Sequence, residues 1–271
     1  MLARDYRPLL IVTSLTAIVT LLTTGGQATT NKPQLQQQQS GQNWAMQAMQ
    51  ALTGGAQVNS VSLAGPVVVV SGENQEQGTI SLQSTGIMTS LLTISTSAGN
   101  RSETRLWDGF LPSGQWAGLD GQPHQMAQQN CWTDGVWFFP ALSLLSDYND
   151  PSMVFVDLGQ QQYNGDLVEH IQAYRWPVNM PPDFQQQIQQ LSTVDFYLDS
   201  QTALPVALTF FRFGDNNVSA MVSTTVTFSQ YQSVSGIEVP SQVVRTLNGS
   251  AYIQINVTSV GLNGQPPTRP R

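Results

Sequence analysis

The chain has 271 residues, of which 40% are hydrophobic and 8% aromatic, enough for a buried core. Charged residues make up only 10%, against about 25% in ordinary globular domains, and the polar surface rests instead on amides and hydroxyls, with 33 Gln and a single Lys, Lys32. The net charge of -7 argues against a nucleic-acid partner, and one Cys with two His (Cys131, His124, His170) excludes a disulfide framework and a multi-cysteine metal site. No metal or cofactor is expected.

Arg4 and Arg7 precede an apolar run of about 14 residues ending at Leu22, followed by Gly26-Gln27-Ala28. That run is short for a hydrocarbon layer of about 30 Å. Its three regions match an export signal, so residues 1–28 are expected to be a signal peptide of a periplasmic protein. An uncleaved N-terminal anchor is the alternative. Residues 29–42, with Gln36 to Gln39 consecutive, read as a Gln-rich linker near the membrane.

Trp44, Ala45, Ala48, Met49 and Leu52 share one helical face, and Gly54-Gly55 ends that helix. From Gln57 the period changes to two. Val67 to Val70 follows a break at Gly65-Pro66, and 79–82 and 92–96 alternate. Residues 92–97 and 102–107 predict a hairpin about Gly99-Asn100. Residues 108–135 read as loop, yet Trp107, Trp116, Trp132 and Trp137 lie in or beside them, which is too aromatic for disorder. Residues 137–146 suggest a helix opened by Pro140.

A short strand is expected at 153–158. Residues 167–176 are ambiguous and are read as strand. Residues 184–191 are a short helix or a polar loop. Strands at 194–198 and 204–213 flank the turn Asp199 to Thr202. Residues 218–228 form a further strand, and 234–240 a bent connector. Asn248-Gly249 joins 243–247 to 251–257 in a type I′ hairpin. With no internal linker, residues 43–263 are one β-rich antiparallel domain, and 264–271 are a loose tail.

Phe196-Tyr197-Leu198-Asp199-Ser200-Gln201-Thr202-Ala203-Leu204-Pro205 resembles the strand, Asp-x-x-Thr turn and Leu-Pro opening of the LolA and LolB lipoprotein-carrier superfamily. Phe228-Ser229-Gln230-Tyr231, Gly236-Ile237 and Val239-Pro240 resemble a later segment of the same proteins. The similarity spans about residues 190–262; the N-terminal half matches in arrangement only. It implies a mostly β fold with a few α-helices, a curved antiparallel incomplete barrel plugged by helices. It also implies a lipid or acylated client held in an apolar interior, and no enzymatic activity. The aromatic stretch 107–146 and the scarcity of Lys depart from that pattern.

Candidate cavity residues are Val68, Leu82, Ile94, Trp107, Trp116, Trp137, Phe138, Phe196, Leu198, Phe210 and Val226. Core packing explains the same apolar positions, giving a structural or interaction module of the envelope with a filled interior as the alternative. Acidic pairs such as Asp147/Asp150 and Asp195/Asp199 sit at turns and strand ends, where solvated carboxylates are commonplace, so no catalytic residue is assigned. Cys131 is read as a small buried hydrophobe.

Overall fold

The computed structural model describes residues 32–109, 111–215, 217–266 and 268; the expected signal peptide and half of the expected tail lie outside them. The period-two patterning builds two antiparallel meanders. The first is β1 (Ser60–Ser71), β2 (Asn74–Thr85), β3 (Thr89–Thr96), β4 (Gly99–Trp107), β5 (Pro112–Ala117) and β6 (Pro123–Gln125). The second is β7 (Met153–Tyr163), β8 (Asp166–Arg175), β9 (Val194–Asp199), β10 (Pro205–Gly214), β11 (Asn217–Val234), β12 (Ile237–Leu247) and β13 (Ser250–Asn256). They join through β1 and β13, so the strand order is β6-β5-β4-β3-β2-β1-β13-β12-β11-β10-β9-β8-β7. With β6 and β7 at opposite ends, the sheet is an incomplete barrel. Among the described residues three α-helices accompany it: α1 (Lys32–Thr53), α2 (Gln128–Cys131) and α3 (Pro182–Ser192).

The seam between the meanders turns on Gly65-Pro66. Strand β1 pairs with β14 (Ser259–Leu262) through Val61 to Ala64, then with β13 through Val67 to Val69. The pair sits at the handover, where a proline lacking an N–H is tolerated, so the strand runs on without the expected break. A Cβ on Gly65 would lie 1.9 Å from the Asn256 carbonyl oxygen, so the backbones meet there as closely as glycine permits.

Strand β1 buries Val61, Leu63, Val67 and Val69. Val68 therefore faces the other side and is only half-buried, contrary to its place among the inward candidates. A run of four valines carries no polar residue to set its phase.

Helix α1 begins earlier than its apolar face predicts. Residues 32–42, read as a linker, are its first turns, consistent with the good helix propensity of Gln. This half docks on β7: Ser40 Oγ donates to Asp157 Oδ2 at 2.5 Å, and a Cβ on Gly41 would meet Phe155 backbone at 2.7 Å. The second half buries Ala45, Ala48 and Leu52 completely, as its spacing requires.

The segment from β6 to β7 fills the interior. Every residue from Asn130 to Leu145 is buried. Two 3-10 turns, Pro140–Leu142 and Leu144–Asp147, replace the expected helix. Ser143 separates them: its Oγ donates to the Pro140 carbonyl and accepts from the Leu145 N–H. A segment apolar on every side has no solvent face for a regular amphipathic helix. Trp137, Phe138, Phe139, Leu142, Leu144 and Leu145 join the inner face of the sheet in one core cluster.

Other turns are tighter than the sequence suggests. The 234–240 connector is a hairpin with positive φ at Ser235 (53°) and Gly236 (81°), the same geometry as Asn248-Gly249. Part of 108–125 forms the edge strands β5 and β6. At Asp199, Oδ1 accepts from the Gln201 N–H and from the Thr202 N–H and hydroxyl, as expected of that turn. Tyr231 Oη donates to the Pro205 carbonyl at 2.7 Å, tying together the two segments that carry the resemblance. In the tail, Thr268 pairs with Val260.

Candidate functional site

Eight of the eleven candidate residues are buried: Leu82, Ile94, Trp137, Phe138, Phe196, Leu198, Phe210 and Val226 belong to one core cluster. They pack against one another and line, Ile94 apart, none of the clefts described here. The Asn130–Leu145 segment occupies the space in which an acyl chain was expected.

Open space lies instead at the end of the sheet where β2 turns into β3. A cleft of about 410 Å³ is lined by Ile87, Met88, Trp107, Trp132, Met180 and Ile188 among others. A second, of about 630 Å³, runs from Met46 and Met49 on α1 to Leu142 and Tyr148. The two share Gly86, Ile87 and Asp147, so they adjoin and are treated together as one groove. Both volumes fall in the range of about 300–1,000 Å³ usual for small-molecule sites. Four of the eight methionines line this groove, and flexible thioether side chains suit a ligand of variable shape. Trp107 stands at its rim, 41% exposed, with its ring edge-on to Trp132 at 6.2 Å.

The groove floor is polar. Arg175 Nη2 lies 3.8 Å from Asp147 Oδ2, and its Nε and Nη2 make no hydrogen bond. Burial lowers the Arg175 pKa, while Asp147, also partly buried, is raised. Asp150, at the rim, accepts from Ser152 N–H and Oγ as an ordinary turn carboxylate. Apart from Trp107, the Met-lined groove escaped the sequence reading because its residues come from six separated segments.

A second polar cluster lies further along β3 and β4. Arg105 is buried; its Nε pairs with Glu103 at 3.0 Å, and its Nη1 donates to the Asn130 and Thr133 carbonyls at 2.8 and 3.0 Å. Arg212 reaches the other Glu103 oxygen at 3.2 Å. Burial alone would raise the Glu103 carboxyl, but Arg212, Arg105 and Arg245 together hold it well below the usual carboxylate range. Arg245 lies over the Trp137 ring, 4.7 Å from its centre. Trp116, half-buried at one wall, stacks on His124 at 4.3 Å and donates Nε1–H to Asp215.

Neither histidine forms a catalytic pair with the thiol. His124 bonds to Asp120 at 2.8 Å and His170 to Asp195 at 3.0 Å. Cys131 is buried, its Sγ 3.6 Å from the Ala127 carbonyl, and burial raises its pKa, which disfavours the nucleophilic thiolate. Among the described residues no group of three or more His, Cys, Asp or Glu is arranged to hold a metal ion, and no helix is long and apolar enough to cross a membrane.

Asp134, 3% exposed, has its pKa pushed up to about 6 by burial, against the opposing hydrogen bond from the Val136 N–H. The folded state thus keeps a proton that the unfolded chain, with a value near 3.8, has lost. Stability should fall as pH rises through the window between those values and level off above it. Asp147 adds the same sign, whereas the Glu103 contribution is present above about 4.5 and lost as pH falls further. Urea unfolding should show a loss of about 2 kcal/mol between about pH 4.5 and 7, largely removed by Asp134→Asn. A flat profile in the unsubstituted protein contradicts the assignment.

No family model and no curated protein matches the sequence. Solved structures do. A DUF1329 family protein from Desulfovibrio piger superposes with a TM-score of 0.53 at 10% identity, covering 84% of this chain and 94% of its own. A domain from Vibrio parahaemolyticus named for outer membrane lipoprotein sorting gives 0.52 at 11%, over 83% and 93%. A LolA superfamily protein from Nitrosomonas europaea gives 0.51 at 10%, over 83% and 94%. At such identities the likeness speaks for architecture alone: this chain has a LolA-like fold.

Proposed function

We propose that the protein is an exported, non-enzymatic component of the cell envelope that holds the apolar part of a lipid or acylated client. The observation that carries this reading is the pair of adjoining Met- and Trp-lined clefts that share Ile87. The LolA-like fold and the export-type N-terminal sequence support it. A role in lipid or lipoprotein trafficking follows from reversible binding there. An acyl chain of about ten methylenes gains roughly 8 kcal/mol from leaving water, before the costs of ordering are subtracted. Sequestration therefore needs no covalent chemistry.

Titration with a brominated fatty acid tests the location, because bromine quenches tryptophan at short range. Emission should fall saturably, and Trp107→Phe should remove much of the change. Unaltered emission would favour the second reading, an interaction module of the envelope with a filled core. The complete burial of Asn130 to Leu145 is the observation on that side.

A further inference from the structure

The scarcity of positive charge makes its placement informative. Arg101, Arg105, Arg212 and Arg245, four of the ten basic residues, converge on one side of the interior. Arg101, Arg212 and Arg245 line a cleft of about 290 Å³ together with Glu103, Trp116 and Tyr252. This cleft shares no lining residue with the Met-lined groove.

Most charges around it are matched. Arg101 makes a two-pronged pair with Glu76, both bonds 2.8 Å. Arg105 and Arg212 divide Glu103 between them. The Asp215 carboxylate accepts from the Trp116 indole, the Ala127 N–H and the Asn130 amide. Arg245 is the remainder. It is 2% exposed, takes part in no ion pair among the described residues, and its buried Nε has no hydrogen-bond partner. Burial, and the neighbouring arginines Arg212 and Arg105, lower its pKa to about 9, only partly opposed by Glu103 and Tyr252. The Trp137 face offsets some of the cost of burying that charge, but a ring supplies no acceptor for its N–H groups.

We propose that this cleft is an oxyanion site, in which Arg245 and Arg212 bind a phosphate, sulfate or carboxylate group carried on a small apolar body. Guanidinium forks match the paired oxygens of such groups. Leu92, Ile94, Trp116 and Ile253 supply apolar wall for the remainder of the ligand. The site stands independently of the groove reading.

Calorimetric titrations with hexyl phosphate, inorganic phosphate and hexanol test it. Hexyl phosphate should bind at least about tenfold more weakly to Arg245→Met than to the unsubstituted protein. Hexanol should bind neither protein measurably better than the other. Inorganic phosphate should bind more weakly than hexyl phosphate, which supports the proposal; equally tight binding would show that the apolar wall takes no part and would overturn the proposed ligand class. Nitrogen-15 arginine spectra of the unsubstituted protein give a second reading that does not depend on the variant folding. The Arg245 Nε resonance should move on saturation with hexyl phosphate, and Arg175 in the groove should not. Equal binding by Arg245→Met, or an unmoved Arg245 resonance, overturns the proposal.

Discussion

Replacing Arg105 with methionine should lower the unfolding free energy by about 3–5 kcal/mol, the range for removing one partner of a buried ion pair. Arg105 is where the interior segment is fastened to the sheet. Its Nη1 satisfies the carbonyls of Asn130 and Thr133, and its Nε pairs with Glu103. Methionine fills much of the same volume but takes a donor from both carbonyls, of which Asn130 keeps the Thr133 hydroxyl. Arg212 still partners Glu103, which keeps that carboxylate from being stranded and limits the loss. Urea unfolding followed by tryptophan emission measures the effect, since Trp132 and Trp137 lie in or beside the fastened segment. A change below about 1 kcal/mol would mean that the segment holds its place by apolar packing alone.

Gly65→Val should cost more than about 4 kcal/mol and leave little folded protein at moderate temperature. Its first side-chain carbon would fall 1.9 Å from the Asn256 oxygen, a contact between two backbones with no flexible side chain to yield. Relief requires separating β1 from β13, the junction between the two meanders. Gly72→Ala is the control. Gly72, unlike Gly65, has positive φ (62°), and a Cβ there meets nothing within 4 Å, so only the modest backbone penalty of that conformation remains. Equal melting temperatures for the two variants would show that the seam can open and reclose around a side chain.

Much of the architecture was readable because its signals are local. The Asn248-Gly249 turn joins β12 to β13 as read, and the hairpin expected within residues 92–107 is β3–β4, although its turn is Ser97-Ala98 and Gly99-Asn100 opens β4. Residues 167–176, ambiguous by periodicity, became β8 because Val168, Ile171 and Ala173 are buried between β7 and β9. What escaped depends on distant partners. The phase of Val67 to Val70 is set by β13 and β2, so Val68 was placed on the wrong face. The first turns of α1 look like a tether because Gln-rich sequence carries no apolar stripe, and its docking rests on Ser40, Gly41 and Asp157, 117 residues apart for the hydrogen-bonded pair.

The site divides in the same way. Trp137 and Phe138, chosen as cavity lining, are core; Trp107 and Trp116 do line clefts, though separate ones. Aromatic density alone cannot tell a wall from a filling, since both bury apolar area equally well. The arginine cleft did leave a trace. Arg245 follows Val239 and Val243 on the inward phase of β12, where a charged residue is conspicuous. Of the groove, only the aromatic stretch that carries Trp107 and Trp132 left one; its other segments are ordinary by themselves.

Native mass spectrometry of protein recovered from its own envelope, followed by organic extraction of the complex, tests the central claim most directly. The account predicts one amphiphile per chain, extractable as a lipid or acylated species, with a chain mass that also shows whether residues 1–28 are removed. Protein that is wholly free of lipid and takes up no added fatty acid would contradict it and leave the filled-core module as the reading of this fold.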